Sequence, residues 1–62
     1  MIGDNIKFYR KKNQLTQDDI AEACNVTRQA VSKWENGESL PTVDNLYALS
    51  RLLHTSVDDI LI

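Results

Sequence analysis

Residues 17–36 read QDDIAEACNVTRQAVSKWEN, and the fold turns on how this stretch is laid out. Its apolar positions are Ile20, Cys24, Val26, Val31 and Trp34, spaced as on two short helices and not as on a strand. Asn25 stands between the two groups, where the chain must turn. After glycine, asparagine best tolerates the left-handed backbone that such a turn requires. Ala21 falls where two steeply crossing helices come closest, and a larger side chain would hold them apart. Thr27 is placed to cap the second helix and Gly37 to end it.

A small residue, a turn residue and apolar anchors at these offsets describe a helix-turn-helix over residues 17–36. With the punctuation outside it, the chain divides into five short helices. The first runs from about Asp4 to Lys12, with Ile2, Ile6 and Tyr9 on one face. The second starts after Thr16, whose partner three residues on, Asp19, completes a capping-box-like pair, and reaches about Cys24. The third is the helix after Thr27. Pro41 and the cap Thr42 introduce a fourth, reaching about Leu53, and Ser56 caps a short fifth with Asp58 and Asp59 in its first turn. His54 is expected to cap the carbonyls of the fourth helix, and Tyr9 and Tyr47 to lie in the core or on its rim.

Sixty-two residues make one domain near the lower size limit for unaided folding, with little room for an enclosed active site. No apolar run is long enough to span a membrane, and MIGDNIKFYRKKN does not read as a signal peptide, so a soluble, cytoplasmic protein is expected. Cys24 and His54 are each alone, which argues against a disulfide, a metal cluster or a Cys/His catalytic pair. With only Gly3 and Gly37, no phosphate-cradling loop exists. The expectation is therefore no enzyme, no cofactor and no small-molecule ligand. The net charge is −2, but it is unevenly spread: residues 1–37 hold six of the seven lysines and arginines against five acids, and the remainder one against four. A local basic face is compatible with that balance, though non-specific attraction to DNA should be weak.

On a wheel of about 100° per residue, Arg28, Ser32, Asn36, Gln29 and Lys33 share an arc of roughly 140° opposite Ala30, Val31 and Trp34. A solvated amphipathic helix would show acids and lysines interleaved. This strip has no acid at its centre, and its residue types are those that read base edges.

The chain as a whole resembles the phage Cro/repressor, or Xre-type, helix-turn-helix family over about residues 2–61. The resemblance is carried by IKFYRKKNQLTQDDIA, VTRQAVSKWENG, Pro41 and LYALSRLLHTSVDDIL, with Asn25 in place of the usual turn glycine and His54-Thr55 in place of a common glycine-apolar pair. It implies an all-α, compact five-helix lambda-repressor-like DNA-binding domain. It also implies a sequence-specific regulator of transcription, a repressor by preference, reading a palindromic operator with the third helix (about 28–36) in the major groove of double-stranded DNA. The alternative is a protein-interaction module such as an antitoxin or accessory regulator. Resemblance and chemistry together assign Arg28, Gln29, Ser32 and Lys33 to base edges, with a phosphate contact the other reading of Lys33. Thr16, Gln17, Thr27, Asn36, Ser39, Lys11 and Lys12 are candidate phosphate contacts, several with a local capping role as well. The resemblance also implies an ion pair between Arg10 and Glu35, tying the first helix to the end of the reading helix. Finally, Leu52, Val57, Ile60, Leu61 and Ile62 are expected to form an apolar patch for a homodimer, at least on DNA.

Overall fold

The computed structural model describes residues 1–62. It has five helices and no strand: α1 (Ile2–Lys12), α2 (Gln17–Cys24), α3 (Arg28–Glu35), α4 (Val43–Leu52) and α5 (Val57–Leu61). The all-α, five-helix architecture expected from the sequence is the one found. α1 begins two residues earlier than its spacing suggested, because the Met1 carbonyl accepts the Asn5 N–H at 3.0 Å and so starts the helical ladder.

The helices are delimited by local chemistry. Thr16, Thr27, Thr42 and Ser56 have extended backbones, and each hydroxyl accepts the N–H three residues on. At Thr16 the box is reciprocal: the Asp19 N–H donates to the Thr16 hydroxyl at 3.0 Å, and the Thr16 N–H donates to the Asp19 carboxylate at 2.8 Å. Such caps satisfy donors that helix geometry leaves free.

The C-terminal ends of α1 to α4 share one device. Gln14 (φ 59°), Asn25 (φ 56°), Gly37 (φ 77°) and His54 (φ 55°) are all left-handed. Behind each, two N–H groups fold back onto last-turn carbonyls, as in Leu15 to Arg10 (3.0 Å), Val26 to Ala21 (2.9 Å), Glu38 to Lys33 (2.9 Å) and Thr55 to Ser50 (3.0 Å). His54 thus ends α4 through its main chain, its N–H reaching the Arg51 carbonyl at 3.4 Å, where a glycine would be the easier residue.

Ile6, Ile20, Val31, Leu49, Leu53 and Ile60 are fully enclosed, joined by Ala21, Cys24 and Trp34. Every helix therefore sends at least one side chain to a single core, with Leu49 from α4 and Leu53 from its C-cap. Burial pushes the Cys24 thiol up, so it acts as a small protonated apolar residue. Ala21 is buried on α2, which packs against α3.

Two expectations are corrected. Tyr47 is 60% exposed, because it lies about 130° around α4 from the Leu46, Leu49 and Leu53 stripe that faces the core. It is exposed one turn along from the exposed Val43, its ring 5.7 Å beneath the Arg51 guanidinium. Ile60 does not belong to an apolar surface patch: it is wholly buried between α1 and α4, and the Asn5 amide donates to its carbonyl at 2.9 Å. Of the other residues assigned to that patch, Leu52 and Val57 are half-buried, while Leu61 and Ile62 are exposed. Phe8, which lies on the same side of α1 as Asn5, is 61% exposed and leaves that surface open.

Candidate nucleic-acid interface

α3 is seated by Val31 and Trp34, with Ala30 half-buried beside them. The opposite side of the same eight residues carries Arg28, Gln29 and Lys33, all exposed. Ser32, the shortest member of the strip, is half-buried. Asn36 ends the strip as the C-cap of α3, exposed, with its amide 3.5 Å from the Glu38 carboxylate. The N-terminus of α2, with Thr16 and Asp18 exposed, adjoins the N-terminus of α3, since the Arg28 Nε stands 4.0 Å from the Asp18 carboxylate. That pair is open to solvent, with side chains 68% and 73% exposed, and so leaves Arg28 free to exchange partners.

The other end of α3 is fixed. Arg10 approaches Glu35 side by side, Nε donating to Oε2 at 2.7 Å and Nη2 to Oε1 at 3.1 Å. The remaining guanidinium nitrogen donates to the Leu15 carbonyl at 3.0 Å, and the Gln17 amide donates to Glu35 Oε1 at 3.1 Å. The two charged side chains are 12% and 3% exposed. Burial works to raise the Glu35 carboxyl. The hydrogen bonds from Arg10 and Gln17, with the charges of Arg10 and Lys7, outweigh it and hold the group below its ordinary value. One carboxylate thus joins α1, the α1–α2 loop, the start of α2 and the end of α3. No buried side-chain nitrogen or oxygen lacks a partner.

Of the residues assigned to phosphates, Thr16, Thr27, Asn36, Ser39, Lys11 and Lys12 are exposed. Gln17 is half-buried, its amide nitrogen held by Glu35, while its main-chain N–H opens α2. Sequence reasoning overlooked two residues here. Asp18 places an acid against Arg28. Gly3, buried in α1, lies against the last carbonyls of α3. An isolated glycine inside a helical pattern was the available signal for Gly3.

The geometry has counterparts in known proteins. A curated relative, the HTH-type transcriptional regulator DicA of Escherichia coli, is 44% identical over 55 residues, covering 89% of this chain and 41% of its own. Repressor protein C2 of Salmonella phage P22 is 36% identical over 61 residues, covering 98% of this chain and 28% of its own. The crystal structure of the P22 c2 repressor with a synthetic operator superposes with a TM-score of 0.90 at 35% identity, over 97% of this chain and 91% of that one. The chain therefore spans well under half the length of the curated relatives quoted. Residues 6–60 match the family model for this fold, and the protein belongs to the helix-turn-helix family HTH_3.

Proposed function

We propose that this domain is a sequence-specific, double-stranded-DNA-binding regulator of transcription, a repressor that places α3 in the major groove of a palindromic operator. The observation that carries this reading is the outward projection of Arg28, Gln29 and Lys33 from a helix whose far side is locked into the core by Val31 and Trp34. Arginine suits guanine O6 and N7, and glutamine suits adenine N6 and N7. Ser32 adds a shorter-range contact, and Lys33 reaches either a base or a phosphate. Lys11 and Lys12 supply attraction without sequence information, and Thr16, Gln17, Thr27, Asn36 and Ser39 serve as phosphate contacts, a reading that the exposure of all but the half-buried Gln17 supports. At the N-terminus of α2, free N–H groups favour an anion.

The operator is read by a homodimer whose subunits meet through the exposed Leu61 and Ile62, with the half-buried Leu52 and Val57 contributing. Two reading helices about 34 Å apart would then fall on one face of the duplex. The test is selection of bound duplexes from a random pool. A recovered inverted repeat supports the reading, and recovery without preference for any sequence overturns it.

A further inference from the structure

Resting on the assignment of α3 as the reading helix, we infer that Gly3 is a positioning residue for DNA recognition: the absence of a side chain there sets where α3 ends, and so where Arg28 and Gln29 point. A Cβ built on Gly3 would stand 2.3 Å from the Trp34 carbonyl oxygen, 2.8 Å from the Glu35 carbonyl oxygen and 3.0 Å from the Glu35 carbonyl carbon. All three are main-chain atoms, so no rotamer change relieves the overlap, and α1 or the end of α3 must move. Helix propensity alone would favour alanine at this position. The glycine is there for the close approach.

The same stretch of α3 is held by further contacts. Glu35 is held by Arg10 and Gln17, and the Trp34 side chain is buried in the core. With its last carbonyls close against Gly3 and its Glu35 side chain tied to Arg10 and Gln17, the C-terminal turn of α3 is held through both main chain and side chain. Eight residues make a lever of about 12 Å from this clamp to the reading end. A shift at the clamp therefore becomes a misplacement of Arg28 and Gln29 in the groove. A phosphate contact from Lys11 or Lys12 on α1 is less sensitive to it, because point charges tolerate displacement better than paired hydrogen bonds.

The test uses the full chain, the best duplex from the pool selection and a scrambled duplex of equal length. Gly3→Ala should weaken binding to the selected duplex about tenfold or more, as the loss of a base contact does. Affinity for the scrambled duplex, corrected for the folded fraction, should change less than about twofold, since phosphate attraction is untouched. Amide shifts of residues 28–36 should move in the free protein. Ile60→Val serves as the control for plain destabilisation: both affinities should fall with the folded fraction, and their ratio should hold. If Gly3→Ala does not fold, the substitution is repeated in the Gln14→Gly/His54→Gly background, which relieves strain remote from this contact. A wild-type preference ratio in the folded variant, or failure to fold even in that background, overturns the inference. A wild-type chain with no sequence preference would instead sink the functional reading on which it stands.

Discussion

Two ion pairs at opposite ends of α3 use the same chemistry to opposite effect. Arg10 and Glu35 meet at 2.7 Å with side chains 12% and 3% exposed, whereas Arg28 and Asp18 stand 4.0 Å apart at 68% and 73%. Both join an arginine to a carboxylate between elements. The first sits where water cannot replace the partner, so it is part of the fold. The second is continuously exchanged with water and salt, and its arginine is available to a ligand. One helix is thereby rigid at its C-terminal turn and open at its N-terminal turn, which is what a surface that must present side chains in fixed directions requires.

The largest effect should come from breaking the buried pair. Glu35→Ala or Arg10→Ala leaves one charge enclosed without its partner, a loss of about 3–5 kcal/mol. A chain of this length has roughly 3–9 kcal/mol in total, so either variant should lose a third of its stability at the least and all of it at the most, read as a much lower midpoint in thermal or urea denaturation. Arg10→Met combined with Glu35→Leu should recover most of the loss, since neither charge then remains buried. The pair also gives an acid signature. The Glu35 carboxyl is lowered in the folded state from an ordinary 4.5, so its stabilisation is fully present above that value and is lost as pH falls through the lowered one. Glu35→Gln should flatten the stability-against-pH curve below about pH 4.5. An acid limb as steep as that of the wild type would show that the clamp is not where the structure places it.

At the open end the expectation reverses. Arg28→Ala should leave the melting temperature nearly unchanged, because an exposed pair contributes under about 1 kcal/mol. On the proposed reading it should cost about 1–3 kcal/mol of discrimination at one or two base pairs of each half-site. Competition binding against single-base variants of the selected duplex measures this. A uniform loss across all sequences would place Arg28 on a phosphate instead.

The sequence disclosed much of this and missed a specific part. Caps were readable at Thr16, Thr27, Thr42 and Ser56 because a hydroxyl before a helical pattern acts within three residues. The left-handed turn at Asn25 was readable for the same local reason. The role of Gly3 was not, since the atoms it would strike lie more than thirty residues away on α3. Ile60 failed in a related way: periodicity says that α5 has an apolar side, but its packing against α1 and α4 decides that water does not reach Ile60. Tyr47 is different, since its place about 130° around α4 from the leucine stripe was already in the spacing. The acid beside Arg28 was missed because Asp18 and Arg28 lie ten residues apart on different helices, and only the way α2 and α3 meet brings them together.

Two substitutions sharpen the comparison by giving it a more stable background. Gln14 and His54 are left-handed without being glycine, a conformation that costs an L-residue on the order of 1 kcal/mol. Gln14→Gly and His54→Gly should each stabilise by about 0.5–1 kcal/mol, less the entropy glycine adds to the unfolded chain. That corresponds to a rise of roughly 2–8 °C per site in a domain this small. Neither side chain hydrogen-bonds to Arg10, Gln17 or Glu35, so clamp variants could be studied folded in this background. Unchanged melting in both variants would mean that local contacts of the two side chains already offset the strain.

The smallest effect on stability, and the most direct probe of the open end, is Asp18→Asn. The pair with Arg28 is exposed and long, so stability should move by less than about 0.5 kcal/mol. DNA affinity should nevertheless rise at low salt, because a carboxylate beside the reading arginine repels phosphates and competes for the guanidinium. The gain should shrink as salt is raised, with screening over about 10 Å at 0.1 M. The same substitution in an Arg28→Ala chain separates the two causes. A gain that persists there comes from removing a charge near phosphates, and one that vanishes comes from freeing the arginine. If binding is unaffected in both chains, the exposed pair lies away from the duplex, and the contrast between the two ends of α3 is one of stability alone.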